Sequence, residues 1–298
     1  VSTTTPSADP AGVYAPGELS AYAAEHGLTP VGVRPPLKVY LQQTWQRRHF
    51  IVSLAASKAY IRNQGGYLGQ LWAIITPALW ACVYLLIFGV LLNTSRGIHN
   101  FVGFLVVGVF LYHFSTACIS QGAKSISMNQ ELIGSLQFPR AVLPAATVLA
   151  ELFTLIPAIF VMIVVVIGSG EHFQASWLLL PFAVILQWIF GTGFAFFFAR
   201  MVVQFRDFGR LVPFVLRALM YTSGVFFSIS HYVGNHVTIG NVLSHQPIAI
   251  YLELGRGALL EETQVTLDAW LWGFGWAFGT LALGFIFFWR AEEKYARG

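Results

Sequence analysis

Charge is what this sequence lacks most. Only 10% of its 298 residues are Asp, Glu, Lys or Arg, whereas a soluble domain carries about 25%. Together with 56% hydrophobic residues and a mean hydropathy of +0.65, this excludes a water-exposed globular fold for most of the chain. Cysteine is nearly as scarce. Cys82 and Cys118 lie in apolar runs and read as small buried hydrophobes, which removes a disulfide framework or thiolate metal site. No Gly-x-x-x-x-Gly-Lys-[Ser/Thr], His-Glu-x-x-His or Cys-x-x-Cys occurs, so these residues hold neither a nucleotide-hydrolysing loop nor the common zinc motifs. Glu151 alone lies well inside an apolar run, and one carboxylate makes a poor proton relay. The formal charge of +4 is scattered over the ends of apolar segments, with no single patch of the kind nucleic acid requires.

What is present is a series of long apolar runs, rich in aromatic residues (26 Phe, nine Trp) that suit a lipid interface or a sugar-contacting lumen. The first run, 71–92, has 22 uncharged residues. At 1.5 Å per residue that is roughly 33 Å, enough for a hydrocarbon core of about 30 Å. Five more spans are expected at 101–120, 141–168, 177–199, 211–228 and 269–289, making an all-α integral membrane protein with a six-helix domain over 65–298. Residues 1–36, rich in Pro, Ala, Thr and Gly and without a signal-peptide pattern, read as a flexible tail. Residues 37–64 read as an amphipathic helix, either lying at the membrane interface or solvated and packed on a partner. The last external connection contains a semi-apolar stretch, 248–260, too short to span; it either dips in and returns or lies on the surface.

Cations orient the spans. Arg34, Lys38, Arg47, Arg48, Lys58, Arg62, Lys124, Arg140, Arg200, Arg206, Arg210, Arg290, Lys294 and Arg297 fall on one side, and only Arg96 and Arg256 on the other. Fourteen against two, with Arg217 inside a span, places both termini in the cytoplasm. Arg217 is costly in hydrocarbon and needs a partner, a wet cavity or a phosphate; a pair with Glu151 is the structural option. His113, also mid-span, is expected to hydrogen-bond a neighbouring helix. The second cytoplasmic connection holds a short amphipathic stretch, Asn129, Gln130, Glu131, Leu132, Ile133 and on to Gln137, stopped by Pro139 after Phe138 and before Arg140. A helix there is placed to pass a push from a soluble partner into the spans, or is simply a connector.

With these segments in place, the chain after residue 40 resembles the permease subunits of ABC-2 polysaccharide and polyol-phosphate exporters. The likeness is carried by YIRNQGGYLGQLWAIITP at 60–77, by Phe138, Pro139, Arg140, Leu143 and Pro144, and by Arg206 and Asp207 ahead of Pro213 and Phe214. Departures are Ser223, Gly224 and Val225 where the family often has Ser-Pro-Val, and Gln246 and Pro247 where it has Asn-Pro. The resemblance implies an inner-membrane homodimer of six-helix halves, docked through a coupling helix to two copies of a cytoplasmic ATPase that binds ATP and Mg. No cofactor is expected in this chain. It also implies external re-entrant helices and a lipid-linked glycan cargo, with O-antigen or teichoic-acid cargo as alternatives. The Ala-rich tail and aromatic load are similar to the mycobacterial and corynebacterial galactan exporters, which implies a polyprenyl-diphosphate galactan for cell-wall assembly. For such a cargo, Trp72, Tyr84, Phe88, Tyr112, Tyr221 and Phe227 are candidates for an aromatic passage. Lys58, Arg62, Arg206 and Arg210 are candidates for the anchor diphosphate, with attraction to lipid headgroups as the alternative. A membrane-embedded glycosyltransferase or phosphotransferase is the competing class, for which Asp207 stands alone at the membrane face, and a secondary transporter would show internal repeats.

Overall fold

A computed structural model describes residues 35–62, 69–91, 98–205, 207–229, 237–263 and 265–295. The expected flexible tail lies outside them. Among the described residues the chain is helical, without strands. Four helices are long and apolar enough to cross a membrane: Phe101–Lys124 (α4), Val142–Gly168 (α6), Ala175–Gln204, which is a 3₁₀ turn leading into α7 (Leu180–Gln204), and Leu267–Trp289 (α11). The other two expected spans take a different form. Helix α3 (Trp72–Tyr84), with Pro77 withdrawing one N–H from its interior, passes into a π-helical stretch, Leu85–Leu91. Helix α8 (Phe208–Thr222) stops six residues before the expected end at 228. Its 15 residues, roughly 22 Å long, end at a turn where Gly224 has φ +69, a conformation that a side chain disfavours.

The segment expected as one interface helix over 37–64 is two, α1 (Leu37–Gln46) and α2 (Arg48–Arg62). At the break the N–H of Arg47 is shared between the carbonyls of Gln43 and Thr44. Helix α2 runs alongside the first turns of α6, where small residues permit close approach: Ala55 packs on Ala146 and Ala150. Cys118 is buried as expected, but Cys82 is exposed on α3, because that helix leaves one face uncovered by the rest of the chain.

Helices in lipid gain little from the hydrophobic effect between themselves, so close packing and polar links hold them. Both operate here. Gln187 Nε2 of α7 donates to the Leu111 carbonyl (2.8 Å) and to Ser115 Oγ (2.7 Å) of α4. Helices α7 and α11 cross at Gly193 and Gly284, where a Cβ on either glycine would strike the other helix's backbone. Gly284→Leu therefore overpacks this crossing and costs about 1–3 kcal/mol or more, read as a lower unfolding temperature of the purified chain. An unchanged temperature would show that the two helices do not meet there.

Two further helices, α9 (Val237–Ser244) and α10 (Pro247–Leu259), fill the connection before α11. Pro247 opens α10 with its φ already set for a helix. Helix α10 is buried almost throughout. Its first residues line a space with Phe190, Phe194 and Leu216, and Leu260 just beyond its end lies against Gly103 near the start of α4. Tyr251 donates from its hydroxyl to the Gly273 carbonyl (2.9 Å).

Candidate coupling site

The chain leaves α4 at Lys124, makes a 3₁₀ turn at Ser127–Asn129 and forms a helix of six residues, α5 (Gln130–Ser135). This is shorter than the expected 129–137. Leu136 is already extended, and Pro139 has no N–H with which to continue a helix. Asn129 ties the entry by donating from Nδ2 to the Ser125 carbonyl (2.6 Å). Gln130 and Glu131 of α5, and Gln137 beyond it, are exposed. Leu132 and Ile133 instead pack inward on a cluster of Tyr40, Ile126, Leu143 and Phe288. One face of α5 is thus free and the other rests on the bundle.

The segment after α5 is strongly tied. The ring edge of Phe138 meets Phe50 of α2 (5.7 Å between centroids). The Arg140 guanidinium folds back over the Phe138 ring (5.4 Å) and donates to the Phe138 carbonyl (3.1 Å). The two backbone N–H groups that follow Pro139 go to distant partners. Arg140 N–H donates to Glu292 Oε1 (2.9 Å), and Ala141 N–H donates to the Tyr40 hydroxyl (3.0 Å). That hydroxyl in turn donates to Glu292 Oε2 (2.7 Å). Trp289 donates from Nε1 to the Pro35 carbonyl (2.9 Å). Any displacement of α5 is therefore felt by α6 directly, by α1 through Tyr40 and by the end of α11 through Glu292.

Burial pushes the Glu292 carboxyl above the usual carboxylate range, against the opposing pull of the Arg140 N–H, the Tyr40 hydroxyl and the Arg140 charge. Burial also raises Tyr40, with the negative charge of Glu292 adding to it. A carboxyl raised in the folded state holds its proton where the unfolded chain has lost it. Its contribution therefore favours the fold at pH below the ordinary carboxylate value and is lost as pH rises through the raised one. Glu292→Gln should flatten this part of the stability profile, measured as unfolding temperature against pH. An unaltered profile would count against it.

The other residues singled out in the sequence are distributed unevenly. Lys58 donates from Nζ to Thr147 Oγ1 (3.1 Å), and both nitrogens of the Arg62 fork go to the Glu151 carboxylate, one at 2.8 Å. The ion partner of Glu151 is thus Arg62 and not Arg217, because α2 climbs beside α6 to the level of Glu151. An anchor phosphate at Arg62 would have to displace a bound carboxylate, which corrects that candidate. Lys58 is lowered by burial, then by the charge of Arg62, with Glu151 opposing. Arg210 is exposed near the start of α8; Arg206 lies outside the described residues.

Of the six aromatic candidates, Trp72 and Tyr221 are exposed, and Tyr84 is half-buried between Trp80 (5.7 Å) and Phe226 (5.5 Å). Tyr112 is buried and donates its hydroxyl to the Leu216 carbonyl, so it joins α4 to α8 instead of facing a passage. Phe227 packs against the core, and the Phe88 side chain lies outside the described residues. His113 Nε2 is buried and has no hydrogen-bond partner among the described residues, and its ring lies against Trp80 (5.8 Å). Arg217 is exposed on α8, on the face that carries Phe214 and Tyr221.

A family model described as ABC-2 type transporter matches residues 51–258, from within α2 to the end of α10, and so takes in α5 and the tied segment after it. The chain belongs to the ABC-2 type transporter family. This ABC-2 chain is 27% identical over 190 residues to the O-antigen export system permease protein RfbA of Myxococcus xanthus, covering 64% of the chain and 72% of that protein. It is 27% identical over 169 residues to the RfbA of Klebsiella pneumoniae (56% and 64%). With the polysialic acid transport protein KpsM of Escherichia coli the identity is 25% over 201 residues (65% and 74%). Sequence reasoning on this ABC-2 chain missed Tyr40 and Glu292. They are 252 positions apart and neither sits in a motif; an acidic residue just past the last span is the only available hint.

Proposed function

We propose that this chain is the membrane-spanning permease subunit of an ATP-driven polysaccharide exporter in the inner membrane, with both termini cytoplasmic. It works as a homodimer, and ATP and Mg are bound by two copies of a separate cytoplasmic ATPase. The observation that carries the reading is the tied segment behind α5: one exposed face to receive a push, and hydrogen bonds to Tyr40 and Glu292 to spread it. Names of the relatives support the cargo class, since they export O-antigen or carry polysialic acid. The exposed face of α8, with Phe214, Arg217 and Tyr221, supports pairing of two copies, because an intramembrane cation there needs a wet or protein-lined surround. Helix α10, whose first residues lie beside the middle of α7 and whose end lies beside the start of α4, supports a re-entrant element.

The finer reading is a galactan chain on polyprenyl diphosphate, moved from the cytoplasmic to the outer face. Trp72, Tyr84 and Tyr221 remain as the aromatic contacts, and Arg210 as the described cation free to meet the diphosphate. Co-expression with the cognate ATPase tests the subunit assignment. The ATPase should copurify with the wild-type chain, and Glu131→Arg with Gln130→Glu, on the exposed face of α5, should lower its retention at least ten-fold. Equal retention would remove α5 from the docking site, and a cell that still displays its surface glycan without this chain would remove the exporter.

A further inference from the structure

Where α3, α4 and α6 come together they leave a cavity of about 200 Å³. Thr147, Glu151, Thr154 and Ala158 recur on one stripe of α6, and the last three of them line it. Helix α4 forms the opposite wall, while Thr76 and Trp80 of α3, both exposed, leave the cavity open at its side. It has a direction. Thr76, Glu151 and Thr154 stand at the end nearer α5, and the His113 ring lies midway against Trp80 (5.8 Å). The far end is apolar, made by Val109, Phe110 and Ala158.

Its depth matches one half of a bilayer. From Glu151 to the end of α6 at Gly168 the helix runs roughly 26 Å at 1.5 Å per residue, against a hydrocarbon core of about 30 Å. With Gly168 at the far boundary, Glu151 lies close to the near one. Along α4 the cavity runs from Ala117 to Val109, roughly 12 Å, and so ends short of the bilayer midplane, about 15 Å down. Its walls then decide what fills it. Water finds polar partners only in the half nearer α5, and an empty apolar end forfeits the dispersion contacts of the atoms around it. An acyl chain entering past Trp80 restores those contacts and, coming from hydrocarbon, gives up no hydration to do so. The mouth does not sort headgroups. Arg62 and Glu151 offset each other there, and Lys58, held at Thr147 one turn toward α5, attracts the phosphate that every phospholipid carries. A polyprenyl chain, many times longer than the cavity, would leave most of its length outside.

We propose that this cavity is a phospholipid site, taking one acyl chain of a lipid from the leaflet on the α5 side. The export reading makes that leaflet the cytoplasmic one, but the site depends on neither cargo nor orientation. Helix α3, with Pro77 at the cavity and a π-helical stretch beyond Tyr84, is covered by the rest of the chain on one face only. The acyl chain fills the space between that helix and the bundle. The lipid is therefore a packing element of the protein, held while the surrounding lipid exchanges.

The test is photolabelling of the full chain with its ATPase in nanodiscs holding a rising fraction of phosphatidylcholine with a diazirine on one acyl chain. Labelled residues are located by peptide mass spectrometry. Labelling at Trp80, Phe110 and Leu155 in the cavity should saturate at a low mole fraction, whereas at Phe278 and Leu283, exposed on α11, it should rise in proportion. Ala158→Leu fills the far end and Ala117→Leu narrows the near one. Each should lower labelling in the cavity at least five-fold and leave that on α11 unchanged. Ile156→Phe, which adds bulk on the exposed, opposite face of α6, should change neither. A polyprenyl phosphate should not displace the label. If one filling variant does not fold, the other and the wild-type saturation curve carry the test. Cavity labelling that rises in proportion, as on α11, shows bulk lipid only and overturns the site. So does labelling absent from the wild type, unchanged in the folded filling variants or lowered equally by Ile156→Phe. Displacement by polyprenyl phosphate overturns it as well, and gives the cavity to an isoprenoid chain.

Discussion

Arg62→Ala should destabilise the chain by about 3–5 kcal/mol, and Glu151→Gln by clearly less, about 1–2 kcal/mol. The asymmetry follows from exposure. The Glu151 side chain is 3% exposed and the Arg62 side chain 41%. Removing Arg62 strands a buried carboxylate, whereas removing the charge of Glu151 releases a guanidinium that can turn to water or lipid headgroups. The effect has a mechanical side as well, since this pair and Lys58–Thr147 clamp α2 along α6. Thermal unfolding of the two variants in the same lipid or detergent measures the difference. Equal losses would mean that the pair is solvated and that α2 does not climb beside α6.

Glu292→Ala should reduce ATP-driven export ten-fold or more while the ATPase remains bound. One carboxylate accepts both from the Arg140 backbone and from the Tyr40 hydroxyl, and hydrogen bonds to a charged group contribute about 1.5–3 kcal/mol each. Their loss unties the segment behind α5 from the end of α11. Tyr40→Phe removes the hydroxyl that bridges Ala141 and Glu292 and should give a smaller loss of the same kind, because Arg140 N–H keeps its partner. Export and ATP turnover are read together in reconstituted vesicles. Continued hydrolysis with lost export is the expected signature. A variant that stops binding the ATPase, or that exports normally, would show that these bonds only hold the fold.

The two halves of this outcome were unequally legible. The four long spans were readable because an uncharged run of sufficient length has one stable environment. The first and fifth segments were not readable as observed. The π-helical stretch after Tyr84 and the Ser223–Gly224 turn interrupt regular α-helix inside runs whose hydropathy continues. The short helix after α4 was visible through Pro139 and the amphipathic residues before it. Its anchoring was not, because Tyr40 and Glu292 are joined only by folding. Arg256 shows the same limit from the other side. Counted as an external charge, it is buried among three carbonyls, a setting no local pattern announces.

The sequence alone determined the solvent, the number of apolar runs and the lopsided cation distribution, since each depends on composition over a stretch of chain. The tertiary structure decided which polar groups meet: Arg62 with Glu151, Tyr40 with Glu292, Arg256 with the carbonyls of a broken helix. Such pairings depend on distances of about 3 Å between residues far apart in the chain, and hydropathy, which averages over neighbours in sequence, holds no information about them.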